Sequence, residues 1–130
     1  GGGPDACGVG LCRDAKGLSK HIVGAVAEHG GLDIMTLWLS RLRPADQYDD
    51  RDENVVMSFS VSWGDLARSF LCGLRAEECP GPNETFFICA DLPFDKYRTS
   101  KAERLLGWRA QDTFERFYTE EPPEGWSWEK

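Results

Sequence analysis

Between Lys16 and His29 the apolar residues Leu18, Ile22 and Val26, with Val23 and Ala27 beside them, recur at helical spacing, and Gly30-Gly31 follows as a left-handed stop. The spacing predicts an amphipathic helix with a buried face. Residues 32–39, "LDIMTLWL", form a short, almost continuous apolar run, which predicts a strand covered on both sides, as in a parallel sheet. A polar loop marked by Pro44 and by Asp49, Asp50, Asp52 and Glu53 comes next, read as solvated. "NVVMSFSVS" then alternates weakly, as a short strand or extended segment would. Ser62 and Asp65 have capping-box spacing at the head of a second helix, from about Asp65 to Ala76. Its Leu66, Phe70 and Leu74, with Ala67 and Leu71, predict a broad buried face.

After the turn residues "ECPGPNE", the run Thr85 to Ala90, "TFFICA", predicts a second buried strand. Ser100 and Glu103 have capping-box spacing ahead of a third helix carrying Ala102, Leu105 and Leu106, and Gly107 ends it. Phe114, Phe117 and Tyr118 form a short amphipathic piece, and the acidic, tryptophan-bearing tail is expected to be poorly ordered beyond Pro122. Alternation of helix and strand predicts an α/β architecture on a parallel sheet. The expected divisions are a flexible N-terminal segment at 1–15, an α/β domain at 16–119 and an acidic tail at 120–130.

Composition narrows the function. The 130 residues are 41% hydrophobic and 28% charged, which suits a single globular domain. A net charge of -7 opposes capture by phosphate backbones or anionic lipid, so nucleic acid and membranes are not expected partners. Neither a signal-peptide pattern nor a bilayer-length apolar run is present, and a cytoplasmic location is expected. The first residue is Gly1 rather than Met, as in a processed chain or a piece of a longer one. Five cysteines, Cys7, Cys12, Cys72, Cys79 and Cys89, are odd in number and irregularly spaced, which points to free thiols in a reducing compartment. Cys7 and Cys12 have a loose metal-ligand spacing but no second close pair, and His21 and His29 lie on another segment, so no metal site is expected.

Several local words then recur in a familiar order: "GLSK" on a helix, a buried strand leading to "LRP", "SVSWGDLARSF", "TFFICAD" and "KAERLLGWRAQD". In that order, from Lys16 to Phe117, they resemble the C-terminal half of extended short-chain dehydrogenase/reductases. Within the NAD-dependent epimerase/dehydratase group, the likeness is to uronate dehydrogenases. The resemblance implies the C-terminal portion of a Rossmann-like parallel sheet with flanking helices, NAD as cofactor, and a sugar acid or nucleotide sugar as substrate. It also implies a Tyr-x-x-x-Lys pair on the first helix, in which the tyrosine exchanges a proton with the substrate and the lysine lowers its pKa and holds the nicotinamide ribose.

Lys20 matches that lysine, but Lys16 stands in the tyrosine's place. Two ammonium groups one turn apart repel, and neither reproduces an activated phenol. The family's serine or threonine upstream of the tyrosine has no counterpart here. "SRLRP" is shorter than the segment that passes the nicotinamide in the family; Arg41 and Arg43 could still pair with a substrate carboxylate through a bidentate fork, but arginines facing solvent beside the acidic loop are the preferred reading. Gly8-Val9-Gly10 lacks the preceding strand and the third glycine of a dinucleotide-binding turn. The expectation is a truncated or degenerate uronate dehydrogenase-like protein that binds no NAD and catalyses nothing alone. The alternative is a fragment of an active NAD-dependent sugar or uronate dehydrogenase. Apolar residues over more than one face of the first helix, Ile22, Val23 and Val26, suggest a homo-oligomer, and a separate cofactor half is the other expected partner.

Overall fold

The computed structural model describes residues 4–39, 41–45, 60–93, 97–118 and 120–129, with the backbone alone for 4–15. The acidic loop at 49–53 and most of "NVVMSFSVS" lie outside the described residues. Along the chain run α1 (Pro4–His29), β1 (Ile34–Trp38), β2 (Arg41–Arg43), β3 (Ser60–Ser62), α2 (Trp63–Arg75), β4 (Asn83–Phe87), α3 (Ser100–Leu106) and a 3-10 turn at Glu115–Phe117. The strands make two small pairs, β1 with β4 and β2 with β3. The second pair is parallel, with Arg41 opposite Ser60, Leu42 opposite Val61 and Arg43 opposite Ser62. In the first, Ile34 N–H donates to Pro82 O at 3.0 Å and Ile88 N–H to Trp38 O at 2.9 Å, so both strands run the same way. The architecture is mixed α/β with parallel pairing.

Packing divides the chain into two compact units, residues 1–35 with 79–84 and residues 36–78 with 85–130. In the first, α1 starts at Pro4 rather than at Lys16 and so runs through much of the 1–15 segment set apart in the sequence. Pro4 at the first helical position has its φ preset and needs no N–H partner there. The burial of this helix differs from the expected pattern. Leu18, Ile22 and Val26 are exposed, and the covered stripe is Val23, Gly24 and Ala27. A β-carbon at Gly24 would sit 3.8 Å from the Asn83 side-chain nitrogen, showing how closely the start of β4 passes the helix. The partner segment is short, so it covers a narrow stripe.

The second unit holds the main core: Val61, Phe86, Ile88, Cys89, Ala90, Ala102, Leu106, Trp108 and Phe114. Ala90 N–H donates to Ser60 O at 2.7 Å, tying the chain after β4 to β3. Lys101 lays its ammonium 4.9 Å above the Phe86 ring and donates to Thr85 O at 3.0 Å, fastening α3 to β4. α3 opens without the expected side-chain cap: Thr99 holds the cap position, and its carbonyl accepts from Glu103 N–H. Its other end is as expected, with Gly107 at φ 65°, where a side chain would be strained. The tail beyond Pro122 is not a loose end. Trp128 packs with Tyr118 and Phe117 against Ala90, Leu92 and Phe114, and Trp126 and Trp128 meet edge to face at 5.9 Å. These contacts bury aromatic surface, which favours ordering this acidic segment.

The largest departure is in α2. The pattern predicted burial of Leu66, Phe70, Leu74, Ala67 and Leu71, yet the fully buried residues are Asp65 and Ser69, while Phe70, Leu71 and Leu74 are exposed. Polar groups at the head of the helix find partners inside, and that fixes which side faces in. The first strand differs likewise: Leu32 and Trp38 are exposed and β1 is only half-buried, because a two-stranded pair covers little of either face.

Candidate functional site

Lys16 and Lys20 stand one turn apart on α1, both exposed to solvent. Gly8 and Gly10 lie within the same helix rather than in a turn between strand and helix, so their amides belong to the helical ladder instead of a phosphate cradle. Arg41 and Arg43 belong to the other compact unit. They alternate on β2 and so project to the same side, where the opposite residues are Ser60 and Ser62. Both arginines are half-buried and engaged in interactions of their own.

The densest polar chemistry lies beside Ser62, at the head of α2. Ser62 caps the helix, its Oγ accepting from Asp65 N–H at 3.0 Å, as its spacing predicted. The same hydroxyl donates to Asp112 Oδ2 at 2.5 Å. Asp65 does not complete the capping box. It is 0% exposed, and its carboxylate turns away to accept from Gln111 N–H at 2.9 Å and Asp112 N–H at 3.0 Å while pairing with Arg68. Trp108, also buried, donates its indole N–H to Asp65 O at 2.9 Å. One buried carboxylate thus clamps the start of α2 to the loop after α3.

This arrangement is built to hold rather than to react. Both Asp65 oxygens are occupied and no solvent reaches them; the partners are two main-chain amides and the Arg68 guanidinium, none of which gives up its proton at ordinary pH. The sequence flagged Ser62 and Asp65 as capping residues but gave no sign of Trp108, Gln111 and Asp112 as their partners. Separations of more than forty residues carry no local signature.

Three other places carry polar or reactive groups. Cys89 is buried, and desolvation, helped by the charge of Asp91, pushes its thiol up to about 11. It remains a neutral thiol at ordinary pH and is no nucleophile. Ser60 Oγ is buried without a hydrogen-bond partner among the described residues. A shallow, open cleft of about 430 Å³ at the end of α3 is lined by Ser100, Glu103, Arg104, Gly107, Trp108 and Arg109, and Arg109 leans on Glu103 at 3.6 Å. Among the described residues no three His, Cys, Asp or Glu side chains are grouped to hold a metal, and no helix is long and apolar enough to cross a membrane.

No protein-family model, curated protein or solved structure matches the chain.

Proposed function

We propose that this chain is a degenerate relative of the extended short-chain dehydrogenases, similar to the substrate-side half of a uronate dehydrogenase, and that it is not a catalyst on its own. The observation that carries the reading is the Lys16–Lys20 pair: lysines one turn apart on an exposed helix, where the resemblance calls for tyrosine and lysine. The parallel strand pairs and the helix-strand order are compatible with part of a Rossmann-like sheet. The clamp at Asp65 supports a scaffold role, because it joins "SWGDLARSF" to "GWRAQD", two of the words that carry the resemblance, through packing and hydrogen bonds alone. Placement of Gly8 and Gly10 inside α1 favours the absence of NAD binding by this stretch.

The test is NADH absorbance with galacturonate or glucuronate and NAD, for the unmodified chain and for Lys16→Tyr. Neither should produce NADH. Turnover by the unmodified chain would overturn the reading. Turnover only after Lys16→Tyr is paired with an added cofactor half would mean that the dehydrogenase framework survives and the tyrosine was its missing acid.

A further inference from the structure

Helix α2 turns its polar residues inward and its apolar ones outward. Trp63 is 61% exposed, Phe70 54% and Leu74 83%, with Leu71 also open to solvent, whereas Asp65 and Ser69 are fully buried. The outward residues are not scattered. Trp63, Ala67, Phe70 and Leu74 follow one another at intervals of four, three and four, the spacing of a helix–helix seam, and Leu66 and Leu71 border it on either side. A single apolar side chain on a surface needs no explanation, but a seam running the length of a helix does.

We propose that the α2 seam pairs with the α2 seam of a second copy of this chain, antiparallel about a two-fold axis. The order of residues is self-complementary in that direction. Rotating the helix end for end about its middle sets Trp63 of one copy against Leu74 of the other, and Ala67 against Phe70. Each contact occurs twice, as an isologous interface requires, and the large Phe70 ring meets the small Ala67. In a parallel pair Trp63 would meet Trp63 and Ala67 would meet Ala67, crowding one level and leaving a gap at the next.

Charge agrees with the same direction. A β-carbon on Gly64 would lie 3.5 Å from Asp112 Oδ2, so the Asp112 carboxylate marks one flank at the head of α2. Arg75 stands about three turns later on that same flank. Antiparallel pairing carries Arg75 of each copy towards the Asp112 end of the other. The seam itself contains no acid, so the net charge of -7 is kept away from it. Covering the face on both copies removes on the order of 1,000 Å² from water, near the lower limit for a specific interface. This inference is independent of any kinship to dehydrogenases.

Sedimentation of the whole chain over a range of concentrations tests it. The unmodified chain should pass from monomer to dimer, and Phe70→Glu and Leu74→Glu should each weaken the dimer by about tenfold or more. Both positions are exposed, so circular dichroism and the melting temperature should hold. Direction is read from disulfide trapping against the background of the unmodified chain: the double variant Ala67→Cys with Phe70→Cys should give a covalent dimer, and Leu74→Cys alone should not. A chain that stays monomeric at several hundred micromolar overturns the proposal, as does a dimer unaffected by both glutamates or trapped through Leu74→Cys. A monomer with Trp63 shielded from a soluble quencher would show that another segment covers the seam, and would overturn it as well.

Discussion

Removing the Asp65 carboxylate should be among the most damaging single changes to a polar group in the second unit. In Asp65→Ala the amides of Gln111 and Asp112 lose their acceptor, at 2.9 and 3.0 Å, at a part-buried place where Asp65 itself is 0% exposed. Hydrogen bonds to a charged group contribute about 1.5–3 kcal/mol each. Arg68 loses its partner too: its side chain is 34% exposed overall, but the Nη2 that faces Asp65 is buried, so leaving it unpaired adds to the cost. The two amide bonds alone come to about 3–6 kcal/mol, against a total of about 5–15 kcal/mol for an ordinary domain. Asp65→Asn keeps the shape and one acceptor oxygen but sets an amide N–H₂ against a main-chain N–H, and should cost about half as much. Trp108→Phe removes one neutral bond to Asp65 O and should cost about 1–2 kcal/mol. Urea unfolding followed by far-UV circular dichroism checks the order Ala, then Asn, then Trp108→Phe, provided the transition slopes stay equal. A loss below about 1 kcal/mol for Asp65→Ala would refute the clamp.

Other changes discriminate among the remaining polar groups. Ser60→Ala should be neutral or slightly stabilising by the same urea assay, because it deletes a buried hydroxyl with no partner among the described residues, whereas Ser62→Ala should cost about 1–2 kcal/mol through the lost cap and the lost bond to Asp112. Gly107→Ala should cost about 1 kcal/mol in melting experiments, since φ 65° is left-handed. Cys89 holds its proton to about pH 11 in the folded chain but only to about 9 when unfolded, so the unfolded state binds fewer protons between those values and stability should fall as pH rises through them. Maleimide at neutral pH should label Cys72 and Cys79 ahead of buried Cys89, as mass spectrometry of the digested protein would show.

What could be read from the sequence depended on how local the cause was. Gly107 and Ser62 work through neighbours within four residues, and both were legible as stop and cap. The α2 stripe was legible as a stripe but not as an exposed one, because periodicity tells which residues share a face and not which way that face points. Asp65 decided the direction through amides more than forty residues away, which no window of sequence contains. Tail packing was missed for a related reason: acidic composition argued for disorder, while Trp128 finds its partners at Phe114 and Tyr118 only once the chain has folded back. Of the proposed site, Lys16 and Lys20 keep the helix read for them, whereas Arg41 and Arg43, read as following the first strand, lie on a short strand of their own, β2; the lysines belong to one compact unit and the arginines to the other.

Calorimetric titration of NAD into the 130-residue chain tests the central claim most directly. The account predicts no saturable heat at millimolar nucleotide, since Gly8 and Gly10 lie within α1 and form no turn around a pyrophosphate. A stoichiometric, saturable isotherm would contradict it.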